Sequence, residues 1–207
     1  MEKKHLLLLP VLCFCFLFSG CNDPGYDFVY DDNKYQYVTG WEISSDDYEL
    51  IEVNDNNIPL RLEIYNSDKE RQFCYCRNNG AWYHNVNYSF PDNQKDSVSS
   101  LTVRSHTSNN QKTIIDSSTI EEFLILISDD GFLNNVKHEY SIVTLEINYY
   151  DYPASYLCGN IIVDYNNDYW LCYIPFSKDC DESEERFYKL DKDSLLLNSA
   201  LEMDKRQ

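Results

Sequence analysis

Short runs of β-branched and aromatic residues recur along most of this chain, and clusters of Asn, Asp and Ser separate them. The runs occupy residues 35–43, 48–53, 60–65, 71–76, 82–90, 98–104, 140–149, 156–165 and 169–175. This pattern predicts an all-β fold, an antiparallel β-sandwich of the immunoglobulin-like kind, with a β-barrel as the alternative. Because 15% of the residues are aromatic, the composition is not that of a disordered protein.

Two stretches depart from the strand pattern or extend it. Ser118 and Glu121 have the spacing of a helix capping box, which predicts a short helix over residues 118–127, with a strand as the alternative. Residues 181–207 begin with an acidic run and predict one more strand or a short helix, followed by a frayed end.

Residues 156–175 carry apolar groups on both faces, which predicts a hairpin in the middle of a sheet.

The N-terminal segment has the anatomy of a secretory signal. Two lysines precede an apolar run over residues 6–18, which is shorter than the roughly 20 residues that span a bilayer. The following Phe-Ser-Gly-Cys sequence, residues 18–21, resembles a bacterial lipobox, whose cysteine becomes the lipidated N-terminus. The resemblance implies a lipid on Cys21 and attachment through it to a membrane outside the cytoplasm, with the outer membrane expected.

The chain therefore divides into three predicted parts. Residues 1–20 are the signal peptide, residues 21–33 an acidic tether, and residues 34–207 a single β-sandwich domain. Asp23, shortly after the lipobox, resembles the acidic surface-export signal of Bacteroidota lipoproteins. One acidic residue leaves the choice between the periplasmic and the surface face of the membrane open.

A second resemblance lies inside the domain. Residues 96–124 resemble a segment of uncharacterised Bacteroidota lipoproteins. The shared features are an aspartate-led strand with Leu-Thr-Val at residues 101–103, a polar loop, a small-residue turn and Phe-Leu at residues 123–124. The resemblance implies a β-sandwich domain and no particular activity.

Charge and missing motifs exclude several functions. The net charge is −18, from 17 Lys and Arg against 35 Asp and Glu, and it would repel nucleic-acid phosphates. The sequence has no glycine-rich phosphate loop, no Gly-x-Ser-x-Gly motif and no two His at zinc-protease spacing. We expect a binding module for a protein or a glycan, without catalysis, cofactor or metal. The alternatives are a tethered inhibitor or toxin-immunity protein, steered by charge to a basic partner, and a hydrolase whose carboxylates do not stand out.

The Cys74-Tyr75-Cys76 segment precedes Asn79-Gly80, which favours a two-residue hairpin turn. Such a turn pairs Cys76 with Tyr83 and places both cysteines on the face opposite Tyr75. A register slipped by one residue would set Cys74 opposite His84, and the thiols and imidazole would then suit copper(I) or zinc. The first register is preferred because it keeps the apolar residues on one face.

Five cysteines follow the lipobox, at positions 74, 76, 158, 172 and 180. Outside the cytoplasm thiols tend to pair, so two disulfides are expected, with one thiol left over. Cys74 and Cys76 lie too far apart on one strand face to bond each other. In the late hairpin we expect Cys172 opposite Ile162. Cys158 lies near the start of the first strand and Cys180 just beyond the second, so Cys158 with Cys180 is the preferred pair.

The candidate ligand-binding residues are aromatic residues that the sequence predicts to lie exposed in the late loops. They are Tyr149, Tyr150, Tyr152, Tyr165 and Tyr169, which stand beside Asp, Asn and Pro. A tyrosine ring combines apolar area with a hydroxyl, which suits sugar faces and protein anchors. The alternative is that these rings pack over the end of the sandwich. Residues 164–168 could also hold calcium through oxygen ligands, but an Asn-rich turn is the preferred interpretation.

Overall fold

The fold is an antiparallel β-sandwich, as predicted. The computed structural model describes residues 27–55, 58–91, 93, 95–176 and 184–203. In chain order the strands are β1 (Phe28–Tyr30), β2 (Asn33–Val38), β3 (Trp41–Glu42), β4 (Tyr48–Asp55), β5 (Ile58–Tyr65), β6 (Phe73–Cys76), β7 (Ala81–Asn85), β8 (Val98–Ser105), β9 (Gln111–Ile114), β10 (His138–Tyr149), β11 (Ser155–Asp164), β12 (Tyr169–Tyr173) and β13 (Arg186–Leu190). The described helices are α1 (Ser117–Ser128) and α2 (Leu195–Met203).

The strands form two sheets, which we number in chain order. Sheet 1 has the strand order β1-β2-β7-β6-β5-β4, and sheet 2 has the order β13-β12-β11-β10-β8-β9. The short strand β3 crosses from the first half of the chain to pair with the start of β11. The predicted hairpin at residues 156–175 is confirmed as β11 and β12, and β11 lies inside sheet 2.

Sheet 1 is curved like half a barrel, because its edge strands β1 and β4 come into contact. Its concave face encloses a small apolar core made of Phe28, Tyr35, Leu62, Ile64, Cys74, Cys76 and Tyr83. Strand β1 lies within the segment predicted as a tether, residues 21–33. Phe28 is only 3% exposed and its ring packs edge-on against Tyr83 at 5.0 Å. Residues 28–33 therefore belong to the domain, and residues 21–26 lie outside the described part of the chain.

The helix predicted over residues 118–127 is confirmed as α1, but its N-cap differs from the predicted one. Asp116 replaces Ser118 in this role, since its Oδ2 accepts a hydrogen bond from the Thr119 amide at 3.0 Å. The inner faces of both helices join the main core between the sheets, through Ile120, Phe123, Leu124, Ile127, Leu196, Leu197 and Ala200. The end of the chain holds both predicted alternatives, a strand (β13) and a short helix (α2).

A cluster of rings joins the two sheets, and we call it the aromatic junction. It consists of Trp41, Phe73, His84, Phe90, Tyr149, Tyr152, Tyr156 and Phe176. Trp41 lies at its centre, stacked on Phe73 of sheet 1 and on Tyr149 of sheet 2, each at 5.8 Å between centroids. Because large rings bury much apolar area in one place, this junction contributes to the apolar contact between the sheets.

The β6–β7 hairpin adopts neither predicted register. Cys74 lies opposite Tyr83 and Cys76 opposite Ala81, so the turn has four residues, 77–80, instead of two. The reason is a tertiary one, because Asn78 in the turn bonds to the neighbouring strand β5. Its Oδ1 accepts from the Arg61 amide at 2.7 Å, and its Nδ2 donates to the Pro59 carbonyl at 3.0 Å. A shift of two residues keeps each side chain on its predicted face.

The cysteines of the described residues are buried free thiols, and no disulfide forms among them. The expectation that extracytoplasmic thiols pair is therefore not met at positions 74, 76, 158 and 172. The predicted partner of Cys158 is Cys180, which lies outside the described residues. Cys158 is buried in the main core, where its Sγ lies 3.4 Å from the Leu145 carbonyl oxygen. Cys172 lies opposite Asn160, not Ile162, and faces the other side of sheet 2.

Candidate functional site

The five predicted tyrosines do not share one end of the sandwich. Tyr149, Tyr150 and Tyr152 lie at the β10–β11 turn, where β11 begins. Tyr165 and Tyr169 lie around the β11–β12 turn, where β11 ends. A strand of ten residues separates the two groups by about 30 Å. A single surface made of all five rings is therefore excluded by the course of the chain.

Tyr149 and Tyr152 belong to the aromatic junction. Tyr149 is buried, and its hydroxyl donates to Asn93 Oδ1 at 2.7 Å. Tyr152 packs edge-on against Trp41 at 5.5 Å, and its hydroxyl lies 3.4 Å from Nε2 of His84. Burial raises the pKa of both phenols above the ordinary value, so both stay neutral. These two rings have the packing role that the sequence left as the alternative.

Tyr150 is the exposed member of this turn, with 62% of its surface accessible. Its amide donates to the Ser97 carbonyl at 2.9 Å, which holds the backbone under the ring in place. The ring borders a cavity of about 260 Å³, the Tyr150 pocket, whose lining is Lys95, Asp96, Val98, Ser99, Ile115, Ser117, Ile120 and Tyr150. The pocket thus combines an open aromatic ring with hydroxyl, carboxylate and ammonium groups.

Ile115 extends the apolar side of the Tyr150 pocket. It directly precedes the N-cap of α1 and would form a hydrophobic staple with Ile120 if it were buried. Instead 78% of Ile115 is exposed, the largest value among the exposed large apolar side chains of the described residues. The sequence offered a signal for it, an isoleucine placed outside both the strand alternation of β9 and the buried face of α1.

A second, more polar cavity borders the same turn. This Asp68 pocket has a volume of about 520 Å³ and is lined by Ser67, Asp68, Lys69, Glu70, Gln72, Asp151, Tyr152 and Pro153. Asp68 is buried, and its Oδ2 accepts from the Phe73 amide at 2.7 Å. Burial raises the pKa of Asp68, and backbone hydrogen bonds from Gln72 and Phe73 oppose that rise. The carboxylate is therefore committed to holding the turn before β6.

Two residues in or beside the lining of the Asp68 pocket have left-handed backbone conformations. Asp151, which lines the pocket, has φ +53°, and Arg71, which lies between two lining residues in sequence, has φ +54°. Such angles are uncommon outside glycine and often mark turns that a protein holds in one shape. Within the β10–β11 turn, Tyr150 lines the Tyr150 pocket and Tyr152 lines the Asp68 pocket.

At the far end of β11, the carboxylates that could have held calcium serve the turn. Asp164 Oδ1 accepts from the amides of Asn166 and Asp168 at 2.8 and 3.0 Å, and Oδ2 accepts from Trp170 Nε1 at 3.1 Å. Asp168 pairs with Lys189 at 2.6 Å. Tyr165 is 66% exposed at the tip of this turn. In the register of the β12–β13 pair, Tyr169 lies opposite Leu190.

The soft-metal alternative at Cys74 is not formed, because His84 lies opposite Phe73 and faces the aromatic junction, whereas the two thiols face the half-barrel. Among the described residues, no three His, Cys, Asp or Glu side chains converge as metal ligands would. No helix in that part of the chain is long and apolar enough to cross a membrane. Comparison of the chain with protein-family models, curated proteins and solved structures finds no match.

Proposed function

We propose that this protein is a lipid-anchored, extracytoplasmic binding module without catalytic activity, and that its ligand is a glycan that stacks on Tyr150. The observation that carries the proposal is the open ring of Tyr150 beside the open side chain of Ile115, above a small polar pocket. Exposed apolar groups grouped in this way mark contact surfaces more often than isolated ones do.

The chemistry of the pocket suits a sugar. One face of a pyranose ring presents C–H groups that pack on an aromatic ring, while its hydroxyls need donors and acceptors at the edge. Asp96, Ser99 and Ser117 supply such groups within the same lining. A volume of about 260 Å³ lies just below the range of pockets for drug-sized ligands, so it accommodates about one sugar residue.

The carboxylates at the pocket support binding over hydrolysis. Glycoside hydrolysis uses two carboxyl groups that flank the scissile bond. Asp96 is the one carboxylate in the described lining of the Tyr150 pocket. In the neighbouring Asp68 pocket the buried carboxylate already accepts a backbone hydrogen bond.

Membrane attachment is the second part of the proposal. Cleavage after Gly20 and acylation of Cys21 would leave six residues between the lipid-bearing residue and Phe28, the first residue of β1. Even fully extended, such a segment spans at most about 25 Å, so the domain would stay near the membrane surface. Mass spectrometry of the mature protein should find an N-terminal Cys21 that carries a diacylglycerol. An unmodified Cys21 behind an uncleaved signal would contradict the anchor.

Affinity electrophoresis through gels that contain soluble polysaccharides tests the glycan. We expect at least one of xylan, mannan, laminarin, amylopectin or mucin to retard the wild type, and Tyr150→Ala to abolish the retardation. Tyr165→Ala is the matched control, because that ring is equally exposed but lies at the other end of β11. Both variants should melt within about 2 °C of wild type, since neither ring is buried.

Two results would contradict the glycan proposal. One is a Tyr150→Ala variant that is retarded as strongly as the control. The other is a wild type that no polysaccharide retards but that captures a protein through Tyr150, which would assign the pocket to a protein ligand.

A further inference from the structure

A larger groove lies between α1 and the loop that joins β13 to α2. Its volume is about 600 Å³, and its lining includes Glu121, Ile125, Asp129, Asp191, Asp193 and Leu195. It is separate from the Tyr150 pocket, because an ion pair of 2.6 Å between Lys95 and Glu121 stands between the two. It therefore does not depend on the proposed glycan function.

The floor of the groove is apolar and open. Helix α1 buries Phe123 and Leu124 in the core and turns Ile125 outward, where 64% of it is exposed. Leu195 at the start of α2 is 42% exposed, although the next two residues are fully buried. Half-buried Leu126 joins them in the lining. Exposed apolar side chains that adjoin on two neighbouring elements are typical of a contact surface.

The rim of the groove is negatively charged. Asp129, Asp191 and Asp193 are exposed at its edges. The lysine of the lining, Lys189, is already neutralised by Asp168 at 2.6 Å. Glu122 in the lining serves the fold, because its carboxylate accepts from Ser194 Oγ at 2.5 Å and from the Leu195 amide at 2.9 Å.

The three rim carboxylates do not form a cation site. Within the described residues no three acidic or other ligating side chains converge at metal-binding distance. Negative charge spread along an open apolar floor matches an extended ligand that carries several separate positive charges.

We propose that this groove docks a basic amphipathic segment of a partner protein, in which Lys or Arg side chains flank an apolar one. The apolar side chain would lie on Ile125 and Leu195, and the basic ones would meet Asp191 and Asp193. The net charge of −18 on the whole chain steers a basic partner to the protein, and the groove supplies the local contact. A groove of about 600 Å³ holds only a short segment, so we expect a weak and transient interaction.

Fluorescence anisotropy with short labelled peptides tests this proposal. The probe alternates Lys and Leu, and two comparison peptides replace every Lys by Glu or every Leu by Ser. We expect the Lys–Leu probe to bind best and to bind more weakly as NaCl rises from about 50 to about 300 mM, because salt screens the charges.

Variants locate the binding. The double variant Asp191→Asn with Asp193→Asn should weaken the Lys–Leu probe by about tenfold. The control, Asp46→Asn with Glu49→Gln, removes the same charge from two exposed residues, one in the loop before β4 and one in β4, and should change affinity by less than about twofold. Ile125→Ser removes an exposed apolar side chain from the floor of the groove. It should therefore weaken binding of the Lys–Leu probe without changing the melting temperature of the protein.

Three outcomes would overturn the proposal. The first is equal weakening in the groove and control variants, which would mean diffuse attraction by net charge. The second is equal binding of the Lys–Ser peptide, which would remove the role of the apolar floor. The third is the absence of binding to the wild type at millimolar probe.

Discussion

Gly159 is the residue at which β11 changes its side-chain alternation. Regular alternation would put Cys158 on the same face as Cys172, the partner of neighbouring Asn160. Instead Cys158 lies in the main core and Cys172 on the opposite side of sheet 2. The backbone of Gly159 has φ +145°, and the register shifts next to it, because Leu145 pairs with Gly159 and Glu146 with Leu157, which leaves Cys158 as an extra residue in β11. Such a bulge lets both flanks of the strand keep their apolar residues inward.

Gly159→Ala should therefore destabilise the protein severely. A Cβ at this position would lie 1.9 Å from the Cys172 carbonyl oxygen, and backbone cannot move aside as a side chain could. We expect a loss of about 3–5 kcal/mol in the free energy of unfolding, or no folding, measured by urea denaturation. Gly131→Ala is the control, because its Cβ would meet only an Asp129 side chain, at 3.3 Å. Equal midpoints for the two variants would refute this account.

At the scale of elements, α2 is held by one face. Leu196, Leu197 and Ala200 are buried against the rest of the core, and α2 contacts α1, β8, β9 and β10. Its first turn is fastened by Glu122 of α1 through the Leu195 amide. A nine-residue helix is too short to be stable by itself, so tertiary packing must supply its stability.

Neighbouring leucines of α2 should respond differently to truncation. Leu196→Ala removes a fully buried side chain and should cost about 2–5 kcal/mol. Leu195→Ala removes a side chain that is 42% exposed and should cost less than about 1 kcal/mol. Thermal or urea denaturation of both variants measures the difference. Similar losses would mean that Leu195 is more deeply packed than its exposure indicates.

At the scale of the whole molecule, the described apolar residues divide into three clusters, and each contains cysteine. Cys74 and Cys76 lie in the half-barrel, Cys158 in the main core, and Cys172 on the outer side of sheet 2. Burial raises the pKa of the Cys74 and Cys158 thiols well above its usual value, and that of Cys172 to about 12. Reactive thiolate is therefore scarce at each of these three sites while the protein is folded.

These four thiols should report the unfolding of the molecule. In the absence of reductant, iodoacetamide should alkylate none of the four thiols in the native protein and all four in denaturant. Peptide mass spectrometry detects the alkylated cysteines. The physical reason is that no disulfide links them and that burial keeps reagent away. If any two stay unlabelled in denaturant until a reductant is added, they are paired as a disulfide, and the free-thiol state is wrong.

The amino-acid sequence by itself determined the features that depend on local patterns. Alternating runs determined the sandwich, because a strand places every second side chain on the same face. The stretch 118–127 favoured a helix over a strand, and the structure shows the helix extended by one residue at each end. The faces of β6 and β7 also followed from alternation alone.

Only the tertiary structure decided what depends on contacts between distant parts of the chain. The hydrogen bonds of the Asn78 side chain to β5 stabilise a four-residue turn in place of the two-residue turn that Asn79-Gly80 favours. The antiparallel course of β10 and β11 sent the five tyrosines to opposite ends, and packing around Trp41 buried Tyr149 while Tyr150 stayed open. Neighbours in sequence gave no sign of these outcomes, because a side chain's exposure is decided by whichever element packs against it.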